Sequence, residues 1–145
     1  MKAQIEQLYG TWRLVSRTEE GGETDASSEI AGNAPQGFIT YGQNGRMSVI
    51  TIGGNRPKPK DLTKLTDQER VELFNTTIAY AGTFTVEGNR VTHNVDISWN
   101  ETLTGTSLVR HFQIEGNTLT IRVDPMISPT GERQPGVVLM WEKVQ

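Results

Sequence analysis

Two stretches of the chain repeat the same alternation of apolar and polar positions, one over residues 83–95 and one over 111–123. Each stretch alternates on both sides of a Glu-Gly-Asn turn, which predicts a β-hairpin. The copies differ at one inward position, where the second has Ile121 and the first has His93. A histidine in place of a core aliphatic residue makes His93 the leading candidate for a functional group.

Alternation and turn residues elsewhere complete a set of eight predicted strands. Thr66 and Glu69 form a capping-box pattern, so a helix is predicted near 67–78, and a short helical turn is predicted near 2–9. The Gly-rich segments 19–35 and 53–61 are predicted loops. The strands are expected near 11–18, 36–42, 45–52, 80–87, 90–99, 106–115, 118–124 and 136–143.

Sequential antiparallel strands with short turns favour an all-β fold, an eight-stranded up-and-down barrel with the mid-chain helix across one opening. At 145 residues the chain has the size of one domain, residues 1–145. Eight strands leave an interior that side chains fill or that holds one small ligand.

Strand parity assigns side chains to the inside of this barrel. His93 is expected to share its inward face with apolar residues, Val91, Val95, Ile97 and Trp99. A two-residue turn at 88–89 would set Phe84 opposite His93 and Tyr80 opposite Ile97.

Arg110 is a second polar residue in an apolar row, the one formed by alternate residues of 108–114. One of three registers sets it opposite His93, and the other two keep the pair within about 7–8 Å. We therefore predict that His93 and Arg110 are neighbours inside the barrel. Burial and a nearby cation would keep His93 neutral.

Composition narrows the classes of function. The chain has a net charge of −3 with scattered charges, so nucleic acid is not an expected partner. It has no cysteine, which excludes thiolate chemistry and fits a cytoplasmic protein. No stretch predicts a membrane span. His93 and His111 have opposite strand parity, and no metal or cofactor site is expected.

Gly10-Thr11-Trp12 opens the first strand after a helical turn and resembles the Gly-x-Trp signature of the lipocalins. Lipocalins place a basic residue of the last strand over this tryptophan, which implies that role for Lys143. A wider set of motifs resembles the bacterial lipocalin-like domain family: 10–16, 39–42 with 45–49, 79–84 and 139–142. The resemblance implies a barrel with a pocket for a small hydrophobic molecule.

Two functions remain open at this point. The first is non-covalent binding of a small, largely hydrophobic or amphipathic molecule with an acidic or carbonyl oxygen, by a monomer or homodimer. The second is a cofactor-independent isomerase, cyclase or lyase, with His93 as acid or base and Arg110 and Tyr80 stabilising an oxyanion. The predicted ligand contacts are His93, Arg110, Tyr80, Phe84, Trp99, Tyr41, Met47 and Phe112.

Overall fold

Eight strands close into an antiparallel barrel in the order β1-β10-β7-β6-β5-β4-β3-β2, as predicted. The computed structural model describes residues 4–19, 35–54, 56, 58–61, 63–127, 131 and 133–145. The barrel strands are β1 Gly10–Glu19, β2 Gln36–Tyr41, β3 Arg46–Ile52, β4 Thr77–Glu87, β5 Arg90–Ser98, β6 Ser107–Glu115, β7 Thr118–Val123 and β10 Val137–Lys143.

Two helices accompany the barrel, α1 Gln4–Leu8 and α2 Asp67–Asn75. The predicted capping box is confirmed: the Thr66 hydroxyl accepts from the backbone N–H of Glu69, and the Glu69 carboxylate accepts from that of Thr66. Helix α2 ends earlier than predicted, because β4 already begins at Thr77. Its position across the opening stays a prediction: none of its nine residues, all described, lines the barrel cavity, but its Phe74 packs against Trp99, which follows β5.

Smaller elements were not predicted. A 3₁₀ turn spans Glu101–Leu103, and a two-stranded sheet pairs β8 Met126–Ile127 with β9 Arg133–Gln134. Of the two predicted loops, residues 20–34 of the first, and 55 and 57 of the second, lie outside the described residues, as do residues 2–3 of the predicted N-terminal turn.

The two hairpins have the same pairing. Phe84 pairs with His93 in the first, as predicted, and Phe112 pairs with Ile121 in the second. Their turns match too, since Gly88 and Gly116 have φ of 61° and 60°. This left-handed conformation favours glycine.

A bulge in β5 reverses the expected side-chain direction near the end of that strand. Gly82 pairs with Val95 but Ala81 pairs with Ile97, which leaves Asp96 as the extra residue. Tyr80 therefore pairs with Ser98, and the predicted pairing with Ile97 is wrong. Ile97 is 64% exposed, so its predicted inward position is wrong as well.

One end of the barrel is closed by Trp12, whose side chain is buried. Its indole N–H donates to the carbonyl of Leu8 in α1 at 2.9 Å. The ammonium of Lys143 lies 4.6 Å from the Trp12 ring centroid and donates to the carbonyl of Tyr9. The cation–π contact and the helix together seal this end.

Candidate ligand-binding site

A cavity of about 480 Å³ occupies the other half of the barrel. This volume falls within the usual range for small-molecule sites. Aliphatic side chains from most strands form much of its wall: Leu14, Ile39, Val49, Ile52, Ile78, Leu108, Ile121, Val123, Val137 and Leu139. Polar and charged side chains also line it: Arg17, Glu19, Thr51, Tyr80, His93, Arg110 and Asp124. Among these, His93, Tyr80 and Arg110 form one cluster.

His93 is 2% exposed and lies between two tyrosines. The Tyr41 hydroxyl lies 2.7 Å from its Nε2, and the Tyr80 hydroxyl lies 2.7 Å from its Nδ1. Tyr80 and His93 come from the neighbouring strands β4 and β5, whereas Tyr41 comes from β2, which borders neither of them, so the cluster connects strands across the barrel. Both ring nitrogens of the histidine are satisfied by side chains.

His93 and the two tyrosines are uncharged at neutral pH, and Arg110 is the charged member of the cluster. Burial, and then the charge of Arg110, lowers the pKa of His93 to about 3. Burial raises the pKa of the Tyr41 hydroxyl well above its ordinary value. Burial also raises the pKa of Tyr80, while the nearby charge of Arg110 opposes that rise.

Arg110 is half-buried in the cavity wall. It pairs with Val91, and His93 pairs with Leu108, so the register is one of the two predicted alternatives in which Arg110 and His93 are not directly opposite. Arg110 still lies close enough for its charge to act on His93 and Tyr80. Within the described part of the chain it forms no ion pair.

Arg17 and Glu19 also line the cavity and were missed. Their charged groups lie 3.7 Å apart. A register shift between Leu14 and Ser16 leaves Val15 as an exposed extra residue and turns Arg17 inward. Strict alternation from Trp12 would have pointed Arg17 outward, so no local sequence signal identified it.

The other predicted contacts divide into two groups. Trp99 lines the cavity and packs against Phe74 of α2, with ring centroids 5.8 Å apart. Four residues do not line the cavity and belong to the buried core instead: Tyr41, Met47, Phe84 and Phe112. Of these, Tyr41 reaches the site through His93 and packs edge-on against Phe84 at 4.9 Å.

The described residues offer neither a metal-binding cluster nor a membrane-spanning helix. No group of three or more His, Cys, Asp or Glu side chains there could hold a metal ion. No helix there is both long and apolar enough to cross a membrane.

The family of the chain is identified by its sequence. A solved structure, the "REP1-NXSQ fatty acid transporter", is 11% identical, with 97% of this chain and 98% of that chain covered and a TM-score of 0.43. No curated protein matches the chain. The sequence model of the lipocalin-like domain matches residues 9–144. Such a barrel supports hydrophobic-ligand binding in general, and the chain belongs to the lipocalin-like domain family.

Proposed function

We propose that the protein binds a small, largely apolar molecule inside the barrel and holds an acidic or carbonyl oxygen of that molecule against Arg110 and Tyr80. The observation that carries this proposal is the position of Arg110. It is a cation without an ion pair among the described residues, in the wall of an otherwise largely apolar cavity.

A guanidinium cannot lose its charge at physiological pH, so partial burial without a counter-ion is unfavourable. A ligand oxygen bonded to Arg110 would offset that cost, and hydrogen bonds to charged groups contribute about 1.5–3 kcal/mol. Tyr80 is buried beside Arg110 and supplies a second polar atom at the same place. The aliphatic wall would surround the remainder of the ligand.

Binding is favoured over catalysis by the contacts of His93. Both of its ring nitrogens are bonded to tyrosine hydroxyls, so a direct proton transfer between His93 and a substrate would first require one of these bonds to break. In the isomerase, cyclase or lyase alternative, the proton would have to pass through the Tyr80 hydroxyl. No contact of the described residues favours that route over simple binding.

The proposal is tested by titrating octanoate into the protein and following tryptophan fluorescence and heat release. Trp99 and Trp141 line the cavity and would report occupancy. Arg110→Leu is expected to weaken octanoate binding about tenfold or more, from the loss of a charge-assisted bond. Arg122→Leu is the matched control, because Arg122 is exposed on β7, and it is expected to leave affinity unchanged.

Equal affinity in the Arg110→Leu variant and the wild type would refute the role of Arg110. The variant is also expected to be at least as stable as the wild type, since an unpaired, partly buried charge is removed.

The proposal includes a cytoplasmic protein that acts as a monomer or homodimer. The absence of cysteine is compatible with a reducing compartment. Light scattering on the purified protein measures the oligomeric state directly.

A further inference from the structure

The hydroxyl of Tyr41 decides how the hydrogen atoms of the cluster are arranged. Tyr41 is 1% exposed, and within the described residues its hydroxyl has one hydrogen-bond partner, Nε2 of His93. A buried hydroxyl hydrogen without an acceptor is costly. The arrangement that satisfies Tyr41 therefore has its O–H donating to Nε2.

The tautomer of His93 follows from this donation. A neutral imidazole carries one N–H, so if Nε2 accepts, the hydrogen is on Nδ1. Nδ1 lies 2.7 Å from the Tyr80 hydroxyl and must then donate to it. The reverse arrangement, with Nε2–H donating to Tyr41, would leave the Tyr41 hydrogen without a partner in the core.

Tyr80 is then an acceptor toward the protein. Its oxygen accepts from Nδ1–H of His93. Arg110 lies close enough for its charge to act on Tyr80, and a guanidinium has only donors, so Arg110 cannot accept the Tyr80 hydrogen. The Tyr80 hydrogen therefore has no acceptor in His93 or Arg110 and remains available. Tyr80 lines the cavity, so that hydrogen is available to a ligand there.

We propose that Tyr41, which does not line the cavity, determines ligand specificity by fixing the His93 tautomer and so keeping Tyr80 a hydrogen-bond donor to the ligand. The site then presents donors from both Tyr80 and Arg110, and it selects a polar end that only accepts, such as a carboxylate or ketone oxygen. An alcohol oxygen can accept the same hydrogen bonds, but the hydrogen of the alcohol O–H group would face the two donors and find no acceptor. This inference rests on the proposed binding function.

The direct test is nitrogen-15 NMR of the histidine rings of the wild-type protein at pH 7. The expected spectrum for His93 is that of an imidazole with its hydrogen on Nδ1. A spectrum with the hydrogen on Nε2 would overturn the inference, and this measurement needs no ligand.

The second test separates hydrogen-bond polarity from charge by comparing 2-octanone with 2-octanol, two neutral probes of similar shape. The wild type is expected to bind 2-octanone roughly tenfold more tightly, the difference that one unsatisfied polar group makes. In Tyr41→Phe the tautomer is no longer fixed, so Tyr80 can donate to Nδ1 and accept from an alcohol. The ratio of the two dissociation constants is expected to fall toward one.

Tyr9→Phe is the matched control, since Tyr9 lies at the closed end and its ring packs against Phe84 rather than joining the cluster. It is expected to keep the wild-type ratio. An unchanged ratio in Tyr41→Phe, with binding intact, would overturn the inference while leaving the proposed function in place. Failure of octanoate and of both neutral probes to bind the wild type would overturn the proposed function and the specificity with it.

Discussion

The hairpin β4–β5 and the hairpin β6–β7 have the same frame and different interiors. The pairs Phe84–His93 and Phe112–Ile121 occupy the same place in each. The difference extends to two further equivalent positions: Tyr80 corresponds to Leu108, and Gly82 corresponds to Arg110. With the same pairing near their turns, the first hairpin carries Tyr80 and His93, and the second carries aliphatic residues at those two positions together with Arg110.

The contrast between Gly82 and Arg110 has a steric cause. A Cβ atom on Gly82 would overlap the backbone carbonyl of Asn94, next to the bulge in β5. The first hairpin therefore cannot carry a side chain there without moving its backbone. The second hairpin places its cation at the equivalent position, where Arg110 pairs with Val91.

The largest effect on stability is expected when the second hairpin receives the histidine of the first in place of Ile121. Ile121→His is expected to lower the free energy of unfolding by about 3–5 kcal/mol. Aliphatic burial is lost, and the new imidazole is buried without hydrogen-bond partners positioned for it. Ile121 is 2% exposed and pairs with Phe112 and Leu139. Urea unfolding measures the change.

Ile97→His is the control for this substitution, because Ile97 is 64% exposed. It is expected to alter stability by less than about 0.5 kcal/mol. Equal effects of the two variants would show that burial does not distinguish these positions.

The reverse substitution, His93→Ile, is expected to cost about 2–4 kcal/mol. The added aliphatic burial is favourable, but the hydroxyls of Tyr41 and Tyr80 lose their partner. Adding Tyr41→Phe to His93→Ile removes one of these hydroxyls and is expected to restore about 1 kcal/mol. A double variant less stable than His93→Ile alone would contradict the account of the cluster.

Gly82→Ala tests the steric difference between the hairpins. We expect a loss of about 1–3 kcal/mol, because the added methyl meets backbone rather than a flexible side chain. Hydrogen exchange of the β5 amides should increase near Asp96, the extra residue of the bulge. Wild-type stability and exchange in this variant would show that the bulge adjusts freely.

The smallest expected effect is the change in stability per unit of pH, which reports the presence of His93 in the first hairpin. The pKa of His93 is lowered to about 3 in the folded protein, against about 6.5 in an unfolded chain. Below pH 6.5 the unfolded state therefore binds a proton that the folded state does not. The contribution of neutral His93 to the free energy of unfolding is therefore complete above pH 6.5. It falls by up to about 1.4 kcal/mol per pH unit as the pH drops toward 3.

Measurements between pH 6.5 and 5 separate this loss from the titration of most carboxylates. His93→Ile is expected to flatten the dependence, and His111→Gln is expected to keep it. A steep dependence that persists in His93→Ile would assign the titration to other groups.

Alternation along the chain was sufficient to predict the barrel, the duplicated hairpins and the inward position of His93, because each depends on local periodicity. The bulges at Val15 and Asp96 were not predictable in this way. Each adds one residue and reverses every later side chain of its strand, which hid Arg17 and turned Ile97 outward. The contact of Tyr41 with His93 was also missed, because it crosses the barrel between strands that share no hydrogen bonds.

The seal formed by Trp12 and Lys143 makes the barrel a blind-ended tube. His93 contacts Tyr41 and pairs with Phe84, and both of these lie toward that seal, since Tyr41 pairs with Gly10 and Phe84 packs against Tyr9. A molecule whose oxygen reaches Tyr80 must then enter oxygen first and leave tail first. The rate at which a bound molecule exchanges would therefore fall as its innermost contact becomes stronger. A longer tail, in contrast, could project from the open end at little energetic cost.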